Sequence, residues 1–195
     1  MATGTDAIQS GSPVNGTGGV TRADRGTPLP TDAETPLTEA FTKLGYISED
    51  GVTRKTDRDI EKIKAWGNYT VKTLIKDNSV TYSLTFLESS NGDLLKALFG
   101  ADNVTITAPA PGVHDGKVAI KHGATLPEPA TYTLEMKDGN TFMREVIPNG
   151  QISVTGDVVF VHSDIIRYEV EIEALNDEAI NGNAMSYQTE VIPAA

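Results

Sequence analysis

The chain contains no cysteine. Disulfides, thiolate zinc sites, iron–sulfur clusters and cysteine nucleophiles are therefore excluded. Aromatic residues make up 6% of its 195 residues, with a single tryptophan, Trp66, and three histidines. Basic side chains are also scarce: 16 Lys and Arg stand against 27 Asp and Glu, for a formal net charge of −11. A protein with that balance repels phosphodiesters, which argues against a sequence-reading nucleic-acid binder. No apolar run approaches the roughly 20 residues of a membrane span, so no membrane anchor is expected. The opening MATGTDAIQS has no basic stretch followed by an apolar one, so no signal peptide is expected and synthesis in a cytoplasm is the default.

What is present is unevenly spread. Residues 1–36, including GSPVNGTGG and TPLPTDAETP, are rich in Gly, Thr, Ser, Pro and Asp. Such a stretch buries too little apolar surface to offset its ordering entropy, so it reads as a flexible N-terminal arm that adds almost nothing to a core. An arm of this kind can become ordered by wrapping a neighbour. The folded part is then 37–195, with Phe41, Leu44, Tyr46 and Ile47 able to dock on something and turns at Gly45 and Asp50-Gly51.

From Val52 the pattern is that of strands. Ile60 to Trp66 ends at a Gly67-Asn68 turn signal, Tyr69 to Lys76 follows, and Lys76-Asp77-Asn78 reads as another turn. Val80, Tyr82, Leu84 and Phe86 then alternate with Ser79, Thr81, Ser83 and Thr85, one apolar face against one hydroxyl face. A short helix follows, with Ser90 as the expected N-cap, Leu94, Leu95, Leu98 and Phe99 on one side, and Gly100 closing it. Strands are expected at Val104–Ala108, Val118–Lys121, Thr131–Lys137, Thr141–Ile147, Ile152–Thr155, Val158–His162 and Asp164–Leu175. Asp138-Gly139-Asn140 is a hairpin signal and Pro148-Asn149-Gly150 a turn signal, while Tyr187 to Ile192 could be an added strand or an arm. The fold class expected is mainly β: an antiparallel sandwich or barrel with one short flanking helix and an extended N-terminal arm.

The last 35 residues carry one arginine, Arg167, against Asp164, Glu169, Glu171, Glu173, Asp177, Glu178 and Glu190. In a strand, Glu169, Glu171 and Glu173 share one face, about 6–7 Å apart, opposite Tyr168, Val170, Ile172 and Ala174. Three readings are open: a solvated outer face, a channel wall facing an anion that must pass without sticking, or a catalytic carboxylate pair. His114-Asp115, His122 and His162-Ser163-Asp164 match no zinc spacing and have no paired nucleophile, so they read as surface or turn residues. The glycine-rich GTGGVTRADRG neither follows a strand nor opens a helix, so it is no phosphate cradle. Lys62, Lys64, Lys72 and Lys76, near Trp66 and Tyr69, read as solvated sheet faces. Neither a cofactor nor an enzymatic activity is expected, because no constellation of catalytic groups stands out.

Three segments taken together, LGYISEDGV, KIKAWGNYTVKTL and VTYSLTFLESSNGDLLKALFGADNVT, carry a resemblance. In order and spacing they are similar to the major tail tube proteins of long-tailed, non-contractile actinobacterial phages. The match lies at Gly45–Gly51, Ile63–Gly67, Val80–Glu88 and Leu94–Val104, within Leu44–Val104, a span of about a third of the chain. The resemblance implies a β-sandwich or barrel with one helix, hexameric rings of this chain, and stacking of those rings into the hollow tail of the virion. It also implies a tape-measure protein, tail tip and tail terminator proteins as partners, and phage DNA in transit without sequence-specific binding.

On that basis the segment 45–59, and in it Tyr46, Ile47, Ser48, Glu49 and Asp50, is the expected inter-ring loop. Residues 187–195 become a C-terminal arm. The charge pattern, rather than a family motif, makes Glu169, Glu171 and Glu173 the expected lumen-facing residues. The alternative is a β-sandwich binding or decoration module for carbohydrate or a capsid surface, which would present exposed aromatic platforms.

Overall fold

Alternating apolar and hydroxyl side chains need a surface on one side and water or a partner on the other, and an antiparallel sheet supplies both. The computed structural model describes residues 8–16, 19–109, 116–178, 180 and 185–191. Its strands are β1 (Ser12–Pro13), β2 (Val20–Asp24), β3 (Thr42–Lys43), β4 (Ile47–Lys64), β5 (Thr70–Phe86), β6 (Val104–Thr107), β7 (Lys117–Ile120), β8 (Ala130–Asp138), β9 (Thr141–Val154), β10 (Tyr168–Ala174) and β11 (Tyr187–Val191), with one helix, α1 (Gly92–Phe99), between β5 and β6. The main sheet runs β3-β2-β8-β9-β10-β5-β4, with β1 also on β8 and β11 also on β9, while β6 and β7 form a separate hairpin. All pairings are antiparallel. The architecture is sandwich-like and is not a closed barrel.

Strand β9 is the pivot. Its first part lies between β8 and β11, and its last part, from Gly150, pairs with β10. Contacts that skip strands show how far the sheet coils. Arg54 on β4 donates from Nη1 to both oxygens of Glu145 on β9, at 2.8 and 3.0 Å. Tyr82 on β5 donates to the same carboxylate at 2.7 Å and lies 2.8 Å from the Ser186 hydroxyl. Burial, ahead of any other cause, pushes the Tyr82 pKa up, so the hydroxyl stays a donor throughout the physiological range.

The core lies in the concavity of this coil, where Tyr82, Leu84, Phe86, Val170 and Ile172 meet Tyr132, Ile147 and Ile152. Helix α1 closes it with Leu94, Leu95, Ala97 and Leu98, all buried. Each buried leucine contributes about 1.5–3 kcal/mol, which an eight-residue helix needs, since it would not persist alone. Its N-cap is Asn91, whose side chain accepts from the Asp93 and Leu94 amides, rather than the expected Ser90.

Several expected boundaries move. Lys76-Asp77-Asn78 does not turn: β5 continues through it against β4, with Lys76 left out of register as a bulge. Pro148-Asn149-Gly150 does not end a strand either. The register shift opposite Ala130 and Tyr132 supplies a place where Pro148 needs no ladder N–H, and its carbonyl accepts from Thr131 Oγ1. Val158–His162 is not a strand, and β10 begins only at Tyr168.

The N-terminal segment also departs from expectation. Strand β2 is inserted beside β8, and Val20, Thr21 and Ala23 are buried, so residues 1–36 do contribute to the core. The following stretch lies over Arg144, which is 2% exposed. Arg144 pairs with Glu135 and donates to the carbonyls of Asp32 at 2.6 Å and Thr35 at 2.9 Å. Removing one partner of a buried, hydrogen-bonded ion pair costs about 3–5 kcal/mol, because the other charge stays behind uncompensated. Arg144→Ala should therefore lower the unfolding free energy extrapolated from urea denaturation by an amount in that range, and a loss under about 1 kcal/mol would show that the strap is not held this way.

Candidate assembly surfaces

The register brings one polar surface together across four strands. Residues directly opposite one another in a ladder share a face. Glu169, Glu171 and Glu173 lie opposite Thr85, Ser83 and Thr81 on β5, which lie beside Thr53 and Lys55 on β4, and opposite Ser153 and Gln151 on β9. Tyr168, Val170, Ile172 and Ala174 point the other way and are buried, while Glu169 and Glu173 are exposed and Glu171 is half-buried. Among the described residues none of the three glutamates forms an ion pair. The face is thus hydroxylic and net acidic, with Lys55 its one facing cation among the residues named.

This four-stranded part of the sheet has two open edges. Strand β4 has no strand on its outer side, and β9 beyond Gly150 has none on the side away from β10, among the described residues. An open edge invites pairing with another chain. Along β4 it is studded with charge, from Arg54, Lys55, Asp57, Arg58 and Asp59 to Glu61, Lys62 and Lys64, the usual protection against indiscriminate pairing.

Strands β4 and β5 run far past the end of β10, whose Ala174 lies level with Val80 and so with Thr56. From Thr56 to Lys64 they form a bare two-stranded ribbon about 26 Å long, at about 3.3 Å per residue. Its tip turns at Gly67 and Asn68, both at positive φ, with the Ala65 amide donating to the Tyr69 carbonyl at 2.8 Å. Trp66 at the tip is 101% exposed, and Tyr69, Val71 and Ile75 are exposed beside it. Lys62, Lys64, Lys72 and Lys76 are exposed on the same ribbon, as expected of solvated positions. The ribbon itself was not legible from the sequence, because the apparent turn at Lys76–Asn78 broke it into shorter strands.

The segment 45–59 is for the most part strand rather than loop. Ile47 lies opposite Phe86 and Val52 opposite Leu84, so Ser48, Glu49, Asp50 and Gly51 bulge from the ladder at the end of the sheet away from the ribbon tip. Tyr46 and the bulge are positioned by Glu88, which accepts from the Tyr46 amide at 2.8 Å and from Asn91 Nδ2 at 2.8 Å. Gly45 makes this possible: its φ is +99°, and a Cβ there would lie 2.4 Å from the Glu88 carboxyl carbon. The separated motif segments around Gly45, Glu88 and Asn91 are therefore one physical junction. Gly45→Ala should cost about 1–3 kcal/mol from backbone strain and displacement of Glu88, read as a lowered thermal midpoint; an unchanged midpoint would contradict the junction.

Chemistry of other kinds is sparse. Among the described residues no group of three His, Asp or Glu is placed to hold a metal ion. No helix among them is long and apolar enough to cross a membrane. His122 packs edge-on against the Phe99 ring, with centroids 5.1 Å apart, and His162 is exposed. His114 and Asp115 lie outside the described residues, as do residues 192–195 of the expected C-terminal arm. Its first part, Tyr187–Val191, is the strand β11, tied down by a 2.6 Å hydrogen bond from the Tyr187 hydroxyl to the Pro30 carbonyl.

Compared with known proteins, residues 5–192 match the model of one family, described as phage tail tube protein. No curated protein matches the chain. That match spans nearly the whole chain, and the chain belongs to the phage tail tube protein family.

Proposed function

We propose that this chain closes into hexameric rings that stack as the hollow tube of a long, non-contractile phage tail, with the β9–β10–β5–β4 sheet facing the lumen. Membership of the family makes it a structural component of the virion tail. The observation that carries the finer reading is the unpaired acidic face, Glu169, Glu171 and Glu173, on a sheet whose two edges are open. Lateral pairing of open edges turns an aggregation hazard into a closed interface. A rotational contact that closes gives a ring, and an open head-to-tail contact repeats it into a filament. A wall of carboxylates and hydroxyls repels phosphate, so DNA passes without sticking.

In this reading the segment Tyr46–Asp50, which runs into the bulge, faces the adjacent ring. The tube grows on a tail tip, its length is set by a tape-measure protein, and a terminator protein caps it. Synthesis takes place in the cytoplasm of an actinobacterial host, a placement supported by the sequence resemblance. The role is mechanical and not enzymatic. Negative-stain microscopy of the purified protein at high concentration is expected to show stacked rings or hollow tubes, and a strict monomer under all conditions would overturn the reading. Glu169→Lys, Glu171→Lys and Glu173→Lys together should leave tails assembled while DNA delivery falls. Unaltered infectivity of virions carrying all three changes would remove the lumen assignment.

A further inference from the structure

Of the two open edges of the β9–β10–β5–β4 unit, one is guarded by charge and the other is not. Strand β4 is studded with charged side chains, whereas residues 150–154 of β9, Gly-Gln-Ile-Ser-Val, carry none. The direction of their backbone groups follows from the ladder with β10. The Thr155 amide donates to the Glu169 carbonyl at 3.0 Å, and the Leu175 amide to the Asn149 carbonyl at 2.8 Å. Bonds in an antiparallel ladder fall on every second pair, so Gln151 and Ser153 turn their backbone groups toward β10. The N–H and C=O of Ile152 and Val154 therefore face the open side. An uncharged edge with β-branched residues is the kind that pairs indiscriminately unless something blocks it.

One side chain stands in the way. Gln151 Nε2 donates to the outward Ile152 carbonyl at 3.2 Å and to the Pro127 carbonyl at 2.9 Å. Both hydrogens of the carboxamide are used in doing so. The segment it reaches, 123–129, runs up to the point where the β8–β9 ladder stops, at Ala130 and Gly150. Its last residues, Leu126-Pro127-Glu128-Pro129, hold two prolines, which keep it from continuing that ladder. The segment is otherwise loosely held. The Lys121 amide donates to the Asn103 carbonyl at 2.8 Å and His122 packs on Phe99. From there to Pro129, the bond from Gln151 is the one hydrogen bond among the described residues, and 123–126 are exposed. Few anchors and open exposure mark a stretch that opens easily.

We propose that Gln151 is a removable plug: it holds the β9 edge shut in the free subunit, and ring closure draws it out. The inference rests on the tail-tube reading and adds how the free chain is kept from pairing too early. A strand of a second copy arriving at the edge brings backbone amides. One of them replaces Nε2 on the Ile152 carbonyl, so that acceptor exchanges one amide donor for another. The released carboxamide turns onto the polar face, where Glu173 lies directly opposite. The Pro127 carbonyl passes to water as segment 123–129 lifts. A charged guard would have to be matched or desolvated on closure, and a neutral amide leaves without that penalty.

Two substitutions open the edge. Gln151→Met keeps the length of the side chain without its donors, and Gln151→Ala removes the chain altogether. Each should lower the protein concentration at which tubes first form by about tenfold, the factor expected when two hydrogen bonds of ordinary net strength no longer have to be broken. The lag before light scattering rises should shorten in step. A glutamine with a merely structural role would act in the opposite sense, since its loss would loosen the subunit and leave the threshold unchanged or higher.

A covalent lock tests the converse. The chain has no native cysteine, so Pro127→Cys and Gln151→Cys together can be bridged by a short bis-methanethiosulfonate and freed again by a reductant. The bridged subunit should stay monomeric. The freed one should form tubes at or below the threshold of the unsubstituted chain. A threshold unchanged or raised in both Gln151→Met and Gln151→Ala, or tubes from the bridged form as readily as from the freed one, would overturn the plug and leave the tube reading standing. Absence of rings and tubes from every form of the chain would overturn both.

Discussion

A strand that ends a sheet must give its outward N–H and C=O groups to water or to another chain, and this protein is organised around that constraint. The longest strand among the described residues, β4, is an edge there for its full length of 18 residues. The strand is kept soluble by a dense alternation of Lys, Arg, Asp and Glu, which also leaves the edge available to a partner able to match the charges. Because β4 is an edge and not buried between sheets, it can run on beyond the body with β5 and become a ribbon. The same openness at the far end of β9 means that the four-stranded unit has somewhere to attach on both sides.

The two faces of that unit are held apart by buried polar anchors as well as by apolar packing. Glu145, nearly inaccessible, collects Arg54 and Tyr82 and ties β4 and β5 to β9 across the concavity. Arg144, the preceding residue and pointing the other way, ties β8 and the N-terminal strap to the outside of the same strand. Neighbouring residues on a strand face opposite sides. One Arg-Glu dipeptide therefore braces both surfaces of β9 at the point where the sheet coils. With the coil fixed, the glutamates of β10 are held outward, away from Val170 and Ile172.

Much of this was legible where side-chain period and burial coincide. The alternation from Ser79 to Phe86, that from Tyr168 to Ala174, the leucines of α1 and the Asp138-Gly139-Asn140 hairpin all appear where expected. The misses have physical causes. Lys76-Asp77-Asn78 and Pro148-Asn149-Gly150 carry turn residues, but neighbouring strands hold them as bulges. Strand β2 is short and its flanks are glycine-rich and polar, so the burial of Val20 and Ala23 depends on β8, more than 100 positions later. Val158–His162 has strand composition without a strand partner in the described chain, and composition alone does not make a ladder. The acidic face was visible from β10 by itself. Its extension across hydroxyls on β5 and β9 needed the register.

The central claim is that the face carrying Glu169, Glu171 and Glu173 is the inner wall of a tube. A cryo-electron microscopy reconstruction of the assembled protein, at a resolution that traces β10, tests it most directly. The account predicts a continuous barrel of β9, β10, β5 and β4 from each subunit, with all three glutamates lining the bore. A tube in which those glutamates face outward or lie buried between subunits would contradict it.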